Sequence, residues 1–213
     1  MGKMLMTIIY VVREGVMNRA LIIVDVQKCF LPGGSLGVEE GDQIIPVVNK
    51  YIRLFKNYGL PIYATRDWHP EVTKHFKEYG GLWPPHCIQG TEGAEFAPDM
   101  ELPEDVEIIS EGMETEGYSA FEGINEQGIS FEESLRNRGI EYLYINGIAT
   151  DYCVKATALD ALKKGFRVTI LLDAVKGVNL KPEDSQKAIE AMIRAGARVA
   201  NIKDVEEELF QDR

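Results

Sequence analysis

The stretch Ala20-Leu21-Ile22-Ile23-Val24-Asp25-Val26 is a nearly continuous apolar run, and it reads as a strand buried on both faces. Similar short runs follow at Pro61–Thr65, Val106–Ser110, Tyr142–Asn146, Val168–Leu172 and Arg198–Ile202. Helical patterns lie between them. One places Ile44, Ile45, Val48, Ile52 and Phe55 on a single face, and another carries Ala156, Leu159, Ala161 and Leu162 in a run ending at Gly165. Strand, helix and strand in repetition require crossover connections. The sequence therefore predicts an α/β fold, a single-domain Rossmann-like parallel sheet flanked by helices on both faces. Ligands of such sheets bind beyond the carboxyl ends of the strands, which makes the residues just after each run the candidates for function.

Composition narrows the partners. The chain has 213 residues, with 23 Lys plus Arg against 34 Asp plus Glu, so its formal charge is 23 − 34 = −11. A field of that sign repels polyanions, which argues against nucleic acid and anionic membrane surfaces as partners. Lys3 and the apolar run Met4 to Val12 are too short to span a bilayer, and no small-x-small cleavage pattern follows Arg13-Glu14. With Met17 just ahead of the first strand, residues 1–18 read as an N-terminal extension or a mis-assigned start, and 19–202 as the domain. The charge-rich stretch 203–213 reads as a solvated C-terminal tail or a terminal helix.

Cys29, Cys87 and Cys153 are odd in number and contain no CxxC pair, which argues against a disulfide framework and a thiolate zinc site. A reducing cytoplasm is the expected compartment.

Asp25 sits among apolar neighbours at a strand end, where burial raises a carboxyl pKa and suits it to act as a base; a turn or helix cap is the alternative. In Gly147-Ile148-Ala149-Thr150-Asp151-Tyr152-Cys153, Thr150 is placed as an N-cap and Cys153 in the first helical turn. There the helix dipole favours a thiolate nucleophile, although an inert core cysteine is also compatible. All three His of the chain fall in the long stretch Asp67 to Glu104, together with both Trp. Asp67 with His69, His75 and His86 forms a donor set suited to a transition metal rather than calcium. Spacing leaves zinc, iron, manganese and cobalt open. Pro32-Gly33-Gly34-Ser35 lacks GxGxxG spacing and a Walker lysine, and reads as a turn.

From about Arg19 to Ile202 these motifs resemble the nicotinamidase/pyrazinamidase branch of the isochorismatase-like cysteine hydrolases. The carriers are Leu21 to Gln27, Gly33-Gly34-Ser35-Leu36, Arg66-Asp67-Trp68-His69, Trp83-Pro84-Pro85-His86-Cys87, Tyr118 to Gly123, and Gly147 to Val154. The resemblance implies hydrolysis of nicotinamide to nicotinate and ammonia through a Cys153 thioester, with Asp25 moving the protons. It implies an oxyanion site at the N–H groups of Ala149 and Cys153, with a cis peptide between Ile148 and Ala149. It further implies one divalent metal, zinc or iron foremost, on Asp67, His69, His75 and His86. Phe30 and Trp83 would sandwich the substrate ring, with Tyr118 lining the pocket. Self-association as a homo-oligomer is left open.

Two positions depart from that pattern. The family carries a lysine where this chain has Glu111, and usually an acidic residue where it has Cys29. Charge reversal at Glu111 predicts a proton shared with Asp25 and a disfavoured thiolate at Cys153. Lys28 and Lys155 are the candidate replacement cations, with a plain surface role as the alternative. Glu111 keeps two further readings open: hydrolysis of another small amide or carbamoyl compound, and a catalytically silent ligand-binding protein.

Overall fold

The computed structural model describes residues 18–114 and 117–211. The expected extension, residues 1–18, thus lies outside the described residues except for Asn18. Six strands form one sheet: β1 (Arg19–Val24), β2 (Ile62–Asp67), β3 (Glu107–Glu111), β4 (Tyr142–Ile148), β5 (Arg167–Lys176) and β6 (Arg198–Ala200). All pairings are parallel, in the order β3-β2-β1-β4-β5-β6. Each strand coincides with one of the expected runs; β1 and β4, at the centre of the sheet, are buried along their whole length and so have no solvent side on which to alternate, whereas the edge strands β3 and β6 are partly exposed.

The helices are α1 (Ile45–Asn57), α2 (Phe131–Asn137), α3 (Lys155–Lys163), α4 (Asp184–Arg194) and α5 (Ile202–Gln211). Leu21 and Ile23 of β1 meet Val48, Ile52 and Phe55 of α1 and Val205 and Leu209 of α5 in one core cluster. Ala20, Ile22 and Val24 point the other way, into a second cluster with Leu135 of α2, Ala158 and Ala161 of α3 and Met192 of α4. The period-two direction of β1 thus supplies both layers of the core. Residues 203–211 belong to α5, whose i and i+4 pair Val205 and Leu209 is buried amid charged neighbours. Among the described residues no helix is long and apolar enough to cross a membrane.

Strand order reverses between β1 and β4, and in open sheets of this kind the switch point beyond the carboxyl ends of the strands is where ligands bind. Gly147 permits the close approach there: with φ of +114°, a Cβ at this position would lie 2.0 Å from the Val24 carbonyl oxygen.

Candidate active site

Asp25, Asp67, Glu111 and the turn containing Cys153 all occupy the carboxyl edge of the sheet, after or at the ends of β1, β2, β3 and β4. The edge collects them because parallel strands deliver every carboxyl terminus to the same side. Asp25 is fully buried and adopts a left-handed φ of 49°, uncommon outside glycine. Its backbone N–H bonds the Thr65 carbonyl at 3.3 Å, and Thr65 Oγ1 donates to Asp25 Oδ1 at 2.6 Å. Burial, and then the charge of Asp67, push the Asp25 carboxyl up to about 7 despite the Thr65 hydrogen bond.

The turn after β4 differs from the expected capped helix. Residues Thr150–Val154 wind as a single π turn ahead of α3, and its N-cap is Ala149, with no side-chain cap. The Ala149 carbonyl accepts from Tyr152 N–H at 3.1 Å and from Val154 N–H at 3.0 Å. Thr150 is buried within the turn instead of preceding it, because the wider winding begins one residue earlier than an α-helical cap would place it. The peptide between Ile148 and Ala149 is cis. Cys153 is buried at 5% exposure, and its thiol is pushed well above the ordinary range by burial and by the charges of Asp25, Asp67 and Glu111. A helix-terminal dipole, equivalent to about half a charge, does not offset that combination, so the thiolate expected from helix position alone is disfavoured.

Asp67, His69 and His86 bring one donor atom each to within 4.8 Å of one another, all buried. Asp67 Oδ2 lies 3.4 Å from His69 Nε2 and 3.6 Å from His86 Nε2. The other ring nitrogens are engaged: His69 Nδ1 with the Gly112 carbonyl at 2.9 Å, and His86 Nδ1 with the Pro84 carbonyl at 2.8 Å. Donating from Nδ1 leaves each Nε2 lone pair aimed at the shared point, the usual preparation of a histidine ligand. His69 Nε2 is buried with no hydrogen-bond partner, as an unmet ligand would be. The donor chemistry therefore fits a divalent metal. His75 stands beside the trio, its ring centroid 4.6 Å from that of His69. Burial would raise Asp67, but the hydrogen bonds and charges of His69 and His86 outweigh it and hold the carboxyl below its ordinary range.

Two supports of this group carry no role in the sequence reading. Gln27 is fully buried and clamps Asp67 from both sides of its backbone: its Nε2 donates to the Asp67 carbonyl at 2.8 Å and its Oε1 accepts from Asp67 N–H at 2.8 Å. Phe76 packs edge-on against the rings of His69 and His86, 5.5 Å from each. A polar residue two positions beyond Asp25, where the chain leaves a buried strand, is the signal that could have singled out Gln27.

Of the aromatic candidates, Trp83 and Tyr118 are linked by a 3.0 Å hydrogen bond from Trp83 Nε1 to Tyr118 Oη. Tyr152, which the sequence did not single out, completes a box with centroids 5.0 Å from Trp83 and 5.3 Å from Tyr118. Phe30 is buried against His86, 5.6 Å away.

The structure corrects the reading of the cysteines, because Cys29 and Cys87 form a disulfide with a Cα–Cα distance of 5.7 Å. They are 58 residues apart, and only the convergence of the turn after β1 with the loop after β2 brings them together. Their pairing leaves Cys153 as the free cysteine and removes the ground for expecting a reducing compartment. Neither candidate lysine serves Glu111. Lys28 Nζ is engaged at the surface by Glu95 at 2.7 Å and Glu92 at 3.1 Å. Among the described residues no Lys or Arg forms an ion pair with Asp25 or Glu111.

A doubly wound parallel sheet of this order, with a buried cysteine at the switch point beside a carboxylate and an Asp-His-His group, is the arrangement of a cysteine hydrolase. Residues 19–204 match the isochorismatase domain, and the chain belongs to that family. The nicotinamidase/pyrazinamidase of Mycobacterium tuberculosis is 38% identical over 184 residues, covering 85% of this chain and 97% of its own. Among solved structures, the pyrazinamidase of Pyrococcus horikoshii in complex with zinc is 53% identical, with a TM-score of 0.80 over 87% of this chain and 99% of its own. An L. infantum protein solved in complex with nicotinate is 32% identical, with a TM-score of 0.75 over 87% and 93% of the two chains.

Proposed function

We propose that the protein is a metal-dependent cysteine amidohydrolase that converts nicotinamide to nicotinate and ammonia in pyridine nucleotide salvage. The observation that carries this reading is the meeting of Cys153 and Asp25 with the Asp67, His69 and His86 donors at one strand edge. Asp67, His69, His75 and His86 would hold the metal, zinc or iron, which when bound supplies a Lewis-acid anchor for the pyridine nitrogen. Trp83, Tyr118 and Phe30 would hold the ring. Asp25 takes the Cys153 thiol proton as sulfur bonds to the amide carbon, and the N–H groups of Ala149 and Cys153 receive the developing oxyanion. The C–N bond then breaks, ammonia leaves with the proton held on Asp25, and water attacks the thioester to release nicotinate and restore the thiol. With a raised pKa, Asp25 is suited to giving the proton back as well as taking it.

Glu111 favours a second reading. A buried acid beside Asp25 alters the electrostatics of the same pocket, and it would suit another small amide or a carbamoyl compound whose own donors face it. Ammonia release by metal-loaded protein tests both. Release from nicotinamide that disappears in Cys153→Ala supports the first reading, whereas release from other amides alone supports the second. Tight nicotinate binding without turnover of any amide would make the protein a silent ligand binder and remove both.

A further inference from the structure

Asp25, Asp67 and Glu111 each present a carboxylate oxygen within 4.8 Å of the other two, and all three residues are buried, at 0%, 6% and 2% exposure. Their hydrogen bonds are unevenly met. Asp25 Oδ1 accepts from Thr65, and Asp67 Oδ2 faces the two histidines. Asp25 Oδ2 and both oxygens of Glu111 find no N–H or O–H donor among the described residues. A buried carboxylate with neither oxygen satisfied is a costly arrangement unless a proton or a cation completes it. No Lys or Arg side chain of the described residues does so.

We propose that Asp25, Asp67 and Glu111 hold a second divalent cation, with Asp67 shared between it and the metal on His69 and His86. Three carboxylates and no nitrogen make a hard oxygen site, which suits manganese or magnesium, whereas the neighbouring site with two imidazoles suits zinc. Asp67 can serve both because a carboxylate has two oxygens with separate lone pairs. The cation supplies positive charge among three acids where the protein provides no ammonium group, and so favours the ionised forms of both Cys153 and Asp25; the raised Asp25 carboxyl is a property of the metal-free protein, and with the cation bound Asp25 starts as the base that takes the thiol proton. Only this last consequence rests on the amidase reading; the binding itself does not.

Metal-free protein loaded with one equivalent of zinc and titrated with divalent manganese, followed by electron paramagnetic resonance and equilibrium dialysis, tests the site. Wild type is expected to take up one manganese per chain beside the zinc. Glu111→Gln should weaken manganese at least tenfold while keeping zinc stoichiometry, Glu111→Lys should abolish manganese uptake, and Asp25→Asn guards against misfolding of either Glu111 variant. Uptake of zinc alone by wild type at millimolar manganese, or unchanged manganese affinity in both Glu111→Gln and Asp25→Asn, would overturn the proposal. Ammonia release is measured separately on the same samples. Its absence throughout would remove the amidase reading and leave the manganese stoichiometry standing.

Discussion

Asp67 and Glu111 are register partners at the carboxyl ends of the neighbouring parallel strands β2 and β3. Partners in a parallel pair project to the same face of the sheet and sit roughly 5 Å apart, so their carboxylates are forced into company by the ladder itself. Glu111, at the end of β3, thereby adds a third buried acid to Asp25 and Asp67.

Removing that charge should ease ionisation of Cys153. In metal-free protein the thiol is held high by burial and by its three acidic neighbours. Glu111→Lys should lower the pH at which iodoacetamide alkylates Cys153 at half its maximal rate, by roughly 1 unit or more, and Glu111→Gln by less. An alkylation profile that does not move in Glu111→Lys would show that Glu111 does not govern the nucleophile.

Stability of the metal-free protein should fall as pH rises. Asp25 goes from 3.8 to about 7 on folding, so the folded state binds its proton more tightly. The resulting stabilisation is complete below 3.8 and is lost as pH climbs to about 7. Glu111, raised by burial and by the charges of Asp25 and Asp67, extends the loss upward. Urea denaturation across this range should show a shallower decline in Glu111→Gln than in wild type; parallel declines would count against the coupled pair.

Gln27→Ala removes both backbone clamps on Asp67. Loss of such a supporting contact typically weakens metal binding by roughly 10-fold to 100-fold. Competition with a chelator of known affinity measures it, and an unchanged zinc affinity would mean that the ligand is positioned by β2 alone.

Gly112 has φ of +68°, and a Cβ there would lie 2.4 Å from His69 Cε1. Gly112→Ala should therefore cost about 1 to 2 kcal/mol of backbone energy and also push His69 off its carbonyl partner. Both a lower melting temperature and weaker zinc binding are expected, the second distinguishing displacement of the ligand from simple backbone strain.

Cys29→Ser opens the covalent ring between Cys29 and Cys87. A closed loop of this length stabilises by roughly 4 kcal/mol in the chain-entropy account, so the melting temperature should drop by several degrees in the variant and in wild type treated with reductant. If reductant leaves the melting temperature unaltered, the pair is not oxidised in solution.

The sheet was legible because its signal is local: a strand covered on both faces must be apolar along its own length, as Ala20–Val24 and Tyr142–Ile145 are. Asp25 and Cys153 were legible because they follow such strands directly. What the sequence could not show depends on separate strand ends meeting in space. Cys29 and Cys87 have no spacing signature, and their pairing follows from two loops crossing. Thr150 looked like a cap because its residue type is right for one, but the π turn shifts the boundary. Tyr152 joins the aromatic box only because that turn swings it beside Trp83 and Tyr118. Glu111 was visible as a departure from the family, yet its two unmet oxygens belong to the folded surroundings.

The ring closed by Cys29 and Cys87 has a consequence for integrity of the chain. Asp67, His69, His75 and His86 all lie within its 58-residue span, and so do the exposed side chains of Val72, Tyr79 and Leu82. A protease that cuts at one of those exposed positions makes two polypeptides but does not release either, since the bridge still ties the piece bearing Asp67 and His69 to the piece bearing His86. In non-reducing electrophoresis such a nicked molecule would migrate as one species, and the donors of the metal group would remain on a single covalent body.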